Sequence, residues 1–344
     1  MKTDMQVNRQ WRIARRPVGL AKQSDFEWRE EKASSPGSGQ VLVRNHYLSL
    51  DPIDRAWMWQ EDTYLPAQRL GSVMRGVTVG IVEQSKNSAF PEGTAVTGAL
   101  GWQDYAATDG ASDFLMRLPG GSDIPPAMHL GLLGHIGMTA YFGLLEIGKP
   151  KGGETLVVSS AAGAVGSLVG QIAKLYGCRV VGIAGTDEKC RWLTAELGFD
   201  AAINHKSEPV FKQLRAYCPR GIDIYFDNVG GPILEDVLNL LNVGARVVVC
   251  GMVSLYNDVG GSLTFPAGPN NLLNLMQKRA RMQGFLYLDY LDRADEAMDA
   301  LVGWHKAGKI RYQLNVIEGL RNAPMALNKM FDGSNRGKLA VKMS

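Results

Sequence analysis

The sequence lacks the features of membrane-spanning and secreted chains. It contains no run of about 18 or more apolar residues, which is the length that a transmembrane helix needs. The segment Met1–Pro17 has no apolar stretch of the kind found in a signal peptide. Four cysteines occur in 344 residues, and none belongs to a C-x-x-C pair. Such scarce and scattered cysteines are typical of a reducing compartment, so we expect a cytoplasmic protein.

Clustered metal ligands are also missing. A structural zinc site needs ligands at short, repeated spacings. The cysteines are far apart, and the histidines form no H-x-x-x-H pattern and no pair with a cysteine. We therefore expect no metal. The five histidines are His46, His129, His135, His205 and His305.

An excess of charge of one sign is absent as well. The chain carries 37 basic and 34 acidic residues, for a net charge of +3, and no dense basic stripe. This balance gives no support to nucleic-acid binding. It remains compatible with a local positive site for an anionic cofactor.

The order of the predicted elements indicates two domains. A single core seldom grows beyond about 250–300 residues, and this chain has 344. Roughly the first 130 residues read as short strands between glycine and proline turns, which indicates a barrel-like β unit. From Glu154 onward strands alternate with helices, which indicates βαβ units around a parallel sheet. The tail is predicted as a helix over 320–331 and a strand over 338–342, returning to the first domain.

The segment 159–166 (SSAAGAVG) carries the strongest motif. It has the spacing of G-x-G-x-x-G, with Ala161 in the first position, and it joins a predicted strand to the predicted helix 165–176. Gly163 would let the backbone approach a pyrophosphate, and Gly166 would let the helix pack on the sheet. The helix N-terminus would supply N–H donors to the phosphates. The motif predicts dinucleotide binding; the alternative is a plain tight turn.

The strand that follows indicates which dinucleotide is bound. In an NAD site an acidic residue ends this strand and holds the ribose 2′-hydroxyl. Here the strand 179–183 ends in Ala184-Gly185, without a carboxylate. A small residue leaves room for a 2′-phosphate, and Lys189 in the next helix could pair with it. The sequence therefore favours NADPH, with a solvated helix lysine as the alternative role of Lys189.

Seven segments in order resemble the zinc-independent medium-chain dehydrogenase/reductases, specifically the prostaglandin, 2-alkenal and curcumin reductase group. They extend over nearly the whole chain, and CGMVSLYN together with DNVGG is fairly specific. The segments are LSLDP (48–52), MTAYFGLL (138–145), SSAAGAVGSLVGQIAKLYGC (159–178), GTDEK (185–189), DNVGG (227–231), CGMVSLYN (250–257) and NRGKLAVK (335–342).

The resemblance implies an α/β fold with two domains. Residues 1–131 and 318–344 would form a GroES-like β-barrel domain, and residues 132–317 a Rossmann domain with a doubly wound parallel sheet that binds NADPH. The active site would lie between them. The implied reaction is reduction of the C=C bond of α,β-unsaturated aldehydes and ketones, with hydride delivered to the β-carbon. The implied partners are a small enone or enal and a second copy of the chain, as a homodimer.

The resemblance also implies individual roles. Tyr256 would be the catalytic hydrogen-bond donor to the carbonyl oxygen, acting with a ribose hydroxyl; the alternative is a loop tyrosine packed on the cofactor. The α-carbon would take its proton from solvent or a relayed water. The implied cofactor-binding residues are Met138, Thr139, Gly163, Ala164, Val165, Gly166, Gly185, Lys189, His205, Asn228, Cys250, Ser254, Tyr256, Phe285, Tyr287 and Asn335.

The chain departs from the family pattern at several positions. Zinc-dependent relatives have a catalytic cysteine near LSLDP and a Gly-His-Glu downstream, where this chain has Asp51 and Arg75-Gly76. This difference disfavours a zinc alcohol dehydrogenase. Ile53-Asp54 replaces the usual Tyr-Met, which changes the expected substrate pocket. His205 replaces a tyrosine near the adenine ribose, and His135 lies near the site.

Three alternative functions stay open from the sequence. One is an NADPH quinone reductase of the same superfamily. Another is an NADP-dependent dehydrogenase of allylic or secondary alcohols. The third, from another class, is a non-catalytic protein that senses NADPH or has a structural role, as among lens crystallins.

Overall fold

The computed structural model describes residues 6–118, 124–257 and 268–343. Its N-terminal part is made mainly of strands, with one short helix and a 3₁₀ turn at Gln23–Asp25. The bounds are β1 Val7–Ile13, β2 Phe26–Lys32, β3 Val41–Leu50, α1 Pro52–Ala56, β4 Thr78–Ser85, β5 Ala95–Gly98, β6 Tyr105–Thr108 and β7 Met116–Arg117.

The middle part alternates strands and helices, as predicted. A 3₁₀ turn at Pro126–Leu130 precedes it, and 3₁₀ turns also lie at Val253–Leu255 and Tyr287–Arg293. The second helix continues as a π-helix over Gly143–Gly148. The bounds are α2 His135–Phe142, β8 Thr155–Val158, α3 Ala164–Leu175, β9 Arg179–Ala184, α4 Asp187–Ala195, β10 Ala201–Asn204, α5 Val210–Tyr217, β11 Ile222–Asp227, α6 Gly231–Leu238, β12 Leu241–Val249, α7 Leu273–Lys278, β13 Arg281–Gly284 and α8 Ala294–Lys306.

The C-terminal part contributes β14 Leu314–Glu318, α9 Ala323–Leu327 and β15 Lys338–Lys342. The predicted helix over 320–331 is broken into 3₁₀ turns on either side of α9. Within the described residues, no helix combines the length and apolarity that crossing a bilayer demands.

A seven-stranded sheet unites the N-terminal part with the C-terminal strands. Its order is β14-β15-β3-β4-β5-β7, with β6 paired to β3. The separate β1-β2 pair packs beside it, where Trp102 stacks on Phe26 with ring centroids 5.5 Å apart. Aromatic burial of this kind supplies much of the core of a small barrel.

The predicted domain limits stay a prediction. The boundary between residues 317 and 318 falls inside β14, which pairs in parallel with β15 in the seven-stranded sheet. This pairing favours a boundary before Leu314, because a strand belongs to the sheet that takes its hydrogen bonds.

The six-stranded sheet is parallel throughout, with the order β10-β9-β8-β11-β12-β13. Successive residues of β8 join different buried clusters: Leu156 and Val158 pack with side chains of α3, and Val157 packs with side chains of α5 and α6. Because alternate residues of a strand face opposite sides, helices cover both faces. The strand order reverses between β8 and β11, and ligands of such sheets bind beyond the strand ends at this point.

Candidate active site

A cavity of about 560 Å³ lies at this reversal point, between the ends of the Rossmann strands and the barrel. The barrel side contributes the segment from Leu50 to Ile53, and the tail contributes Asn335 to Leu339 except Arg336. The cavity brings together nearly all of the predicted site residues. Those on its wall are Thr139, Gly163, Ala164, Val165, Gly166, Gly185, Lys189, His205, Asn228, Cys250, Ser254, Tyr256, Phe285, Tyr287 and Asn335.

Met138 is the exception. It lies in a separate apolar cluster with Tyr141, Phe142 and Ala297, away from the cavity wall. The reason is helical periodicity, because residues four apart on a helix share a face. His135 and Thr139 share the face of α2 that lines the cavity, so Met138 is turned towards α8. The Met138 side chain therefore does not face the cavity, and its predicted contact with the cofactor stays a prediction.

The glycine loop has the close packing that its sequence predicts. Gly163 is the N-cap residue of α3. A Cβ on Gly166 would lie 2.5 Å from the Ser160 carbonyl oxygen, which is too close for any side chain. The absence of a side chain at Gly166 lets the first turn of α3 pack directly on the loop that follows β8. The first N–H groups of α3 therefore face the cavity.

The C-terminal segment is fastened to this loop. The Gly337 N–H donates to the Ala162 carbonyl oxygen at 2.8 Å, and Gly337 forms a parallel β-bridge with Gly163. The Asn335 side-chain amide donates to the Gly337 carbonyl oxygen at 2.9 Å. A segment of the barrel sheet thus completes the rim of the phosphate loop.

Ser159 and Asp227 tie the ends of β8 and β11 together. The Ser159 hydroxyl donates to Asp227 Oδ1 at 3.0 Å, and the Asn228 side-chain amide donates to the Ser159 carbonyl oxygen at 2.7 Å. Asp227 Oδ1 also accepts the N–H groups of Val229 and Gly230 at 2.9 Å each. This network fixes Asn228 on the cavity wall.

Positive side chains gather at one end of the cavity. Lys189 donates to the Gly333 carbonyl oxygen at 2.7 Å, and a Cβ on Gly185 would lie 3.2 Å from His205 Nε2. Burial and then the nearby charge of Lys206 lower the pKa of both Lys189 and His205. An anion bound beside these groups would favour their charged forms.

Lys206 was not predicted as a site residue, although it lines this end of the cavity. Its signal in the sequence was its position directly after His205, beyond the tip of β10. A single lysine in a polar loop is too common to single out without the strand order.

The segment Cys250–Asn257 forms another wall and presents Tyr256. The Tyr256 ring meets Trp59 edge to face at 5.8 Å, and its carbonyl oxygen accepts the Trp59 indole N–H at 3.3 Å. Its phenol oxygen accepts the Met252 N–H at 3.5 Å, which leaves the hydroxyl proton available. Burial raises the pKa of Tyr256, and burial also raises the pKa of the Cys250 thiol to about 12.

Two aromatic residues, Phe285 and Tyr287, also line the cavity. Phe285 meets Phe226 edge to face at 6.3 Å. The Tyr287 ring lies 6.1 Å from the His135 ring. Burial, followed by the charge of Asp51, raises the pKa of Tyr287 to about 12, so its phenol stays protonated.

Three ionisable side chains, Asp51, His135 and Lys338, complete the wall as a cluster. The sequence did not predict that they meet. Lys338 Nζ donates to Asp51 Oδ1 at 2.8 Å, and Asp51 Oδ2 lies 3.0 Å from His135 Nε2. Burial by itself raises the pKa of Asp51, but the charge of Lys338 and the contact with His135 outweigh it, so the pKa lies well below its usual value.

Metal-ligating residues do not converge in the described ranges. No group of three or more His, Cys, Asp or Glu side chains is placed there to hold an ion.

Comparison with known proteins decides the family. Residues 9–116 match a model described as the N-terminal domain of oxidoreductase, and residues 164–303 match one described as zinc-binding dehydrogenase. The NADPH-dependent curcumin reductase of Escherichia coli (strain K12) is 45% identical over 98% of both chains. The chain belongs to the medium-chain dehydrogenase/reductases, in the curcumin, prostaglandin and 2-alkenal reductase group.

Other members of the group agree with this assignment. The NADP⁺-dependent 2-alkenal reductase of Nicotiana tabacum is 42% identical to this medium-chain reductase over 95% of each chain. The crystal structure of CurA in complex with NADPH from Vibrio vulnificus superposes with a TM-score of 0.91 at 43% identity, covering 98% of this chain and 99% of that one. The predicted family and the predicted Rossmann and GroES-like fold are confirmed.

Proposed function

We propose that this medium-chain reductase is an NADPH-dependent enzyme that reduces the C=C bond of α,β-unsaturated aldehydes and ketones. The observation that carries the proposal is one cavity that joins a positively charged end to an apolar, tyrosine-lined end. The relatives described above reduce curcumin and 2-alkenals, as their names state.

The residues at the cavity fit NADPH. The α3 N-terminus and the bare Gly163 and Gly166 suit a pyrophosphate. Lys189, Lys206 and His205 surround the position beyond β9 where an acidic residue would be needed for NAD. A 2′-phosphate would offset the repulsion between Lys189 and Lys206, which is why we assign the phosphorylated coenzyme.

The side chains have a modest chemical task. Bound NADPH supplies the hydride that the β-carbon receives. The protein holds the substrate in the apolar end and stabilises the negative charge that develops on the carbonyl oxygen. Tyr256 is the proposed donor, because its buried phenol keeps its proton and its hydroxyl is not used as a donor within the described residues.

A substrate panel tests the proposal. Loss of NADPH absorbance is followed with alkenals, enones and quinones as substrates. With allylic alcohols, NADP⁺ is supplied and the gain in absorbance is followed. NADH replaces NADPH in parallel assays as the matched coenzyme. We expect turnover of alkenals and enones with preference for NADPH. Faster turnover of quinones or of alcohols would replace the proposal with the corresponding alternative, and NADPH binding without any turnover would support a non-catalytic role.

We also propose a cytoplasmic homodimer. The edge strand β13 leaves one side of the six-stranded sheet unpaired among the described residues. In the neighbouring helix α7, Leu273 is 59% exposed and Met276 is 69% exposed. Apolar exposure beside a free sheet edge favours pairing with a second copy, and the four free thiols suit a reducing compartment. Light scattering that gives a monomer at micromolar concentration would exclude the dimer.

A further inference from the structure

A turn of the C-terminal tail reaches the positively charged end of the cavity. Gly333 lies in this turn with a φ of +82°, and it lines the cavity together with Lys189 and Lys206. The Gly333 carbonyl oxygen accepts a hydrogen bond from Lys189 Nζ at 2.7 Å. A Cβ on Gly333 would lie 3.6 Å from Lys206 Nζ. The two ammonium groups, which come from separate segments of the Rossmann part, therefore converge on one residue of the tail.

The bond to Gly333 orders Lys189 and still leaves it able to bind a ligand. An ammonium group has three N–H donors. Within the described residues, the Gly333 carbonyl oxygen takes one of them, so two remain for a phosphate. A lysine side chain loses much rotamer freedom when a ligand orders it. Because the tail already restricts Lys189, a ligand has less ordering to impose, which favours binding.

Arg336 fastens this part of the tail to α4, the helix that carries Lys189. The guanidinium carbon of Arg336 lies 5.3 Å from the centroid of the Trp192 ring, and its Nη1 lies 3.4 Å from Glu188 Oε1. Trp192 is 6% exposed, so its ring is a fixed platform. The Glu188 side chain is largely exposed, hence the contact with Trp192 is the stronger of the two.

The charge of Arg336 also acts at this end of the cavity. Burial and then the charge of Lys206 lower the pKa of Lys189, and the charge of Arg336 acts in the same direction. Arg336 is not on the cavity wall. Its charge would therefore attract a phosphate bound at Lys189 from a short distance, without touching it.

The rest of the coenzyme rim is held by backbone bonds that do not involve the Arg336 side chain. On one side of it, the Asn335 N–H donates to the Lys329 carbonyl oxygen at 3.1 Å. On the other side, the Gly337 N–H donates to the Ala162 carbonyl oxygen at 2.8 Å. Loss of the Arg336 side chain should therefore affect the turn at the lysines much more than the pyrophosphate loop.

We propose that Arg336 is a positioning residue for the 2′-phosphate of the coenzyme. It holds the Gly333 turn against α4, so that Lys189 and Lys206 face one point, and its own charge adds to the attraction for the phosphate. The tail of the barrel thus contributes to the choice between the phosphorylated and the unphosphorylated coenzyme. This inference rests on the proposed function, in which NADPH is the coenzyme.

The test compares the binding of NADPH and NADH, which differ only by the 2′-phosphate, to the full-length protein without substrate. Fluorescence titration gives the two Kd values. In Arg336→Met we expect the Kd for NADPH to rise on the order of tenfold, the size of one lost interaction with a charged group. We expect the Kd for NADH to stay at the wild-type value, because the pyrophosphate loop keeps its bonds.

Arg321→Met is the matched control, because Arg321 has the same kinds of contact elsewhere in the tail. Its guanidinium carbon lies 4.4 Å from the centroid of the Trp28 ring, and its Nη2 lies 3.6 Å from Glu30 Oε1. None of these three residues lines the cavity. The substitution removes the same charge from the protein, and we expect both Kd values to stay unchanged.

An Arg336→Met variant that keeps the wild-type ratio of the two Kd values overturns the proposal, whether both values stay constant or both rise equally. The same change of ratio in Arg321→Met also overturns it, since net charge alone would then explain the effect. A wild type that binds NADH as tightly as NADPH would instead reject the coenzyme assignment in the proposed function.

If Arg336→Met does not fold, hydrogen–deuterium exchange of the wild type gives the answer. A 2′-phosphate that engages Lys189 and Lys206 should also stabilise the turn on which they converge. Saturating NADPH should therefore slow amide exchange over residues 332–337 more than saturating NADH does. Equal protection by the two coenzymes contradicts the proposal.

Discussion

At the scale of single residues, the two ends of the cavity have different proposed roles. One end would bind the negatively charged phosphate of the coenzyme, and the other would hold the substrate that is reduced. Lys189, Lys206 and His205 mark one end, and Tyr256 and His135 mark the other. Burial and then the nearby charge of Lys206 lower the pKa of Lys189 and of His205. The other end lies among buried phenols that keep their protons. Substitutions at the two ends should therefore affect different kinetic constants.

Tyr256→Phe should lower turnover far more than coenzyme affinity. Loss of an oxyanion donor costs on the order of 10²-fold in kcat, whereas the ring remains to pack against Trp59. Steady-state kinetics with an alkenal and fluorescence titration with NADPH measure the two effects. Tyr217→Phe, at an exposed position in α5, is the control. An unchanged rate in Tyr256→Phe would remove this residue from the mechanism.

His205 should make NADPH affinity depend on pH. Burial, Lys206 and Lys189 lower the pKa of His205 in the free protein, so the ring is neutral near neutral pH. A 2′-phosphate favours the charged form, hence binding takes up a proton and tightens as the pH falls. Calorimetric titration in two buffers measures that uptake. His205→Asn should bind NADPH with no such dependence, and NADH affinity should be insensitive to pH in both proteins.

The glycine loop was predictable residue by residue, because its spacing and its strand–helix context lie in one short segment. Lys206 and Lys338 were not, since what matters for them is proximity to residues far away in the chain. Lys338 in particular lay in a segment that reads as an apolar strand. The sequence also did not show that Met138, the neighbour of Thr139, has its side chain on the face of α2 that is turned away from the cavity.

At the scale of elements, the alternation of strands and helices was predictable because each element has a clear hydrophobic period. The tail was harder to predict. Its apolar residues favour one helix over 320–331, whereas the chain forms short turns around α9, with Pro324 near the start of that helix. Short segments that pack on a barrel take their shape from tertiary contacts more than from propensity.

Gly166→Ala should test how tightly α3 is seated. The added Cβ would meet the Ser160 carbonyl oxygen at 2.5 Å, so the helix must move away from the loop. We expect a loss of about 1–3 kcal/mol in the free energy of unfolding and weaker NADPH binding. Gly303→Ala in α8 meets nothing within 4 Å and should leave stability equal or slightly higher. Denaturant unfolding of both variants measures this difference. If Gly166→Ala were as stable as Gly303→Ala, the result would contradict the prediction.

At the scale of the whole molecule, stability depends on ion pairs that join distant parts of the sequence. Asp51 and Lys338 lie at opposite ends of the chain and meet in the barrel wall. Because the folded-state pKa of Asp51 is depressed, its contribution is complete above the ordinary value of about 3.9. That contribution is lost as the pH falls through the lower folded-state value.

Lys338→Met should therefore destabilise the protein by about 3–5 kcal/mol at neutral pH, since it leaves a buried carboxylate without its cation. The deficit should shrink as the pH falls, because protonation removes the unpaired charge. The matched control is Lys342→Met in the same strand, whose exposed pair with Glu318 spans 3.6 Å and contributes little. Denaturant titrations at several pH values measure both, and a deficit that is constant with pH would contradict the account.

The bridge between Gly163 and Gly337 has a consequence for biosynthesis. The segment that completes the rim of the coenzyme site is synthesised after the whole of the parallel sheet. A nascent polypeptide can form that sheet before the ribosome has added Gly337, yet its coenzyme rim stays incomplete until then. A truncated product that stops before Gly337 should consequently bind NADPH more weakly.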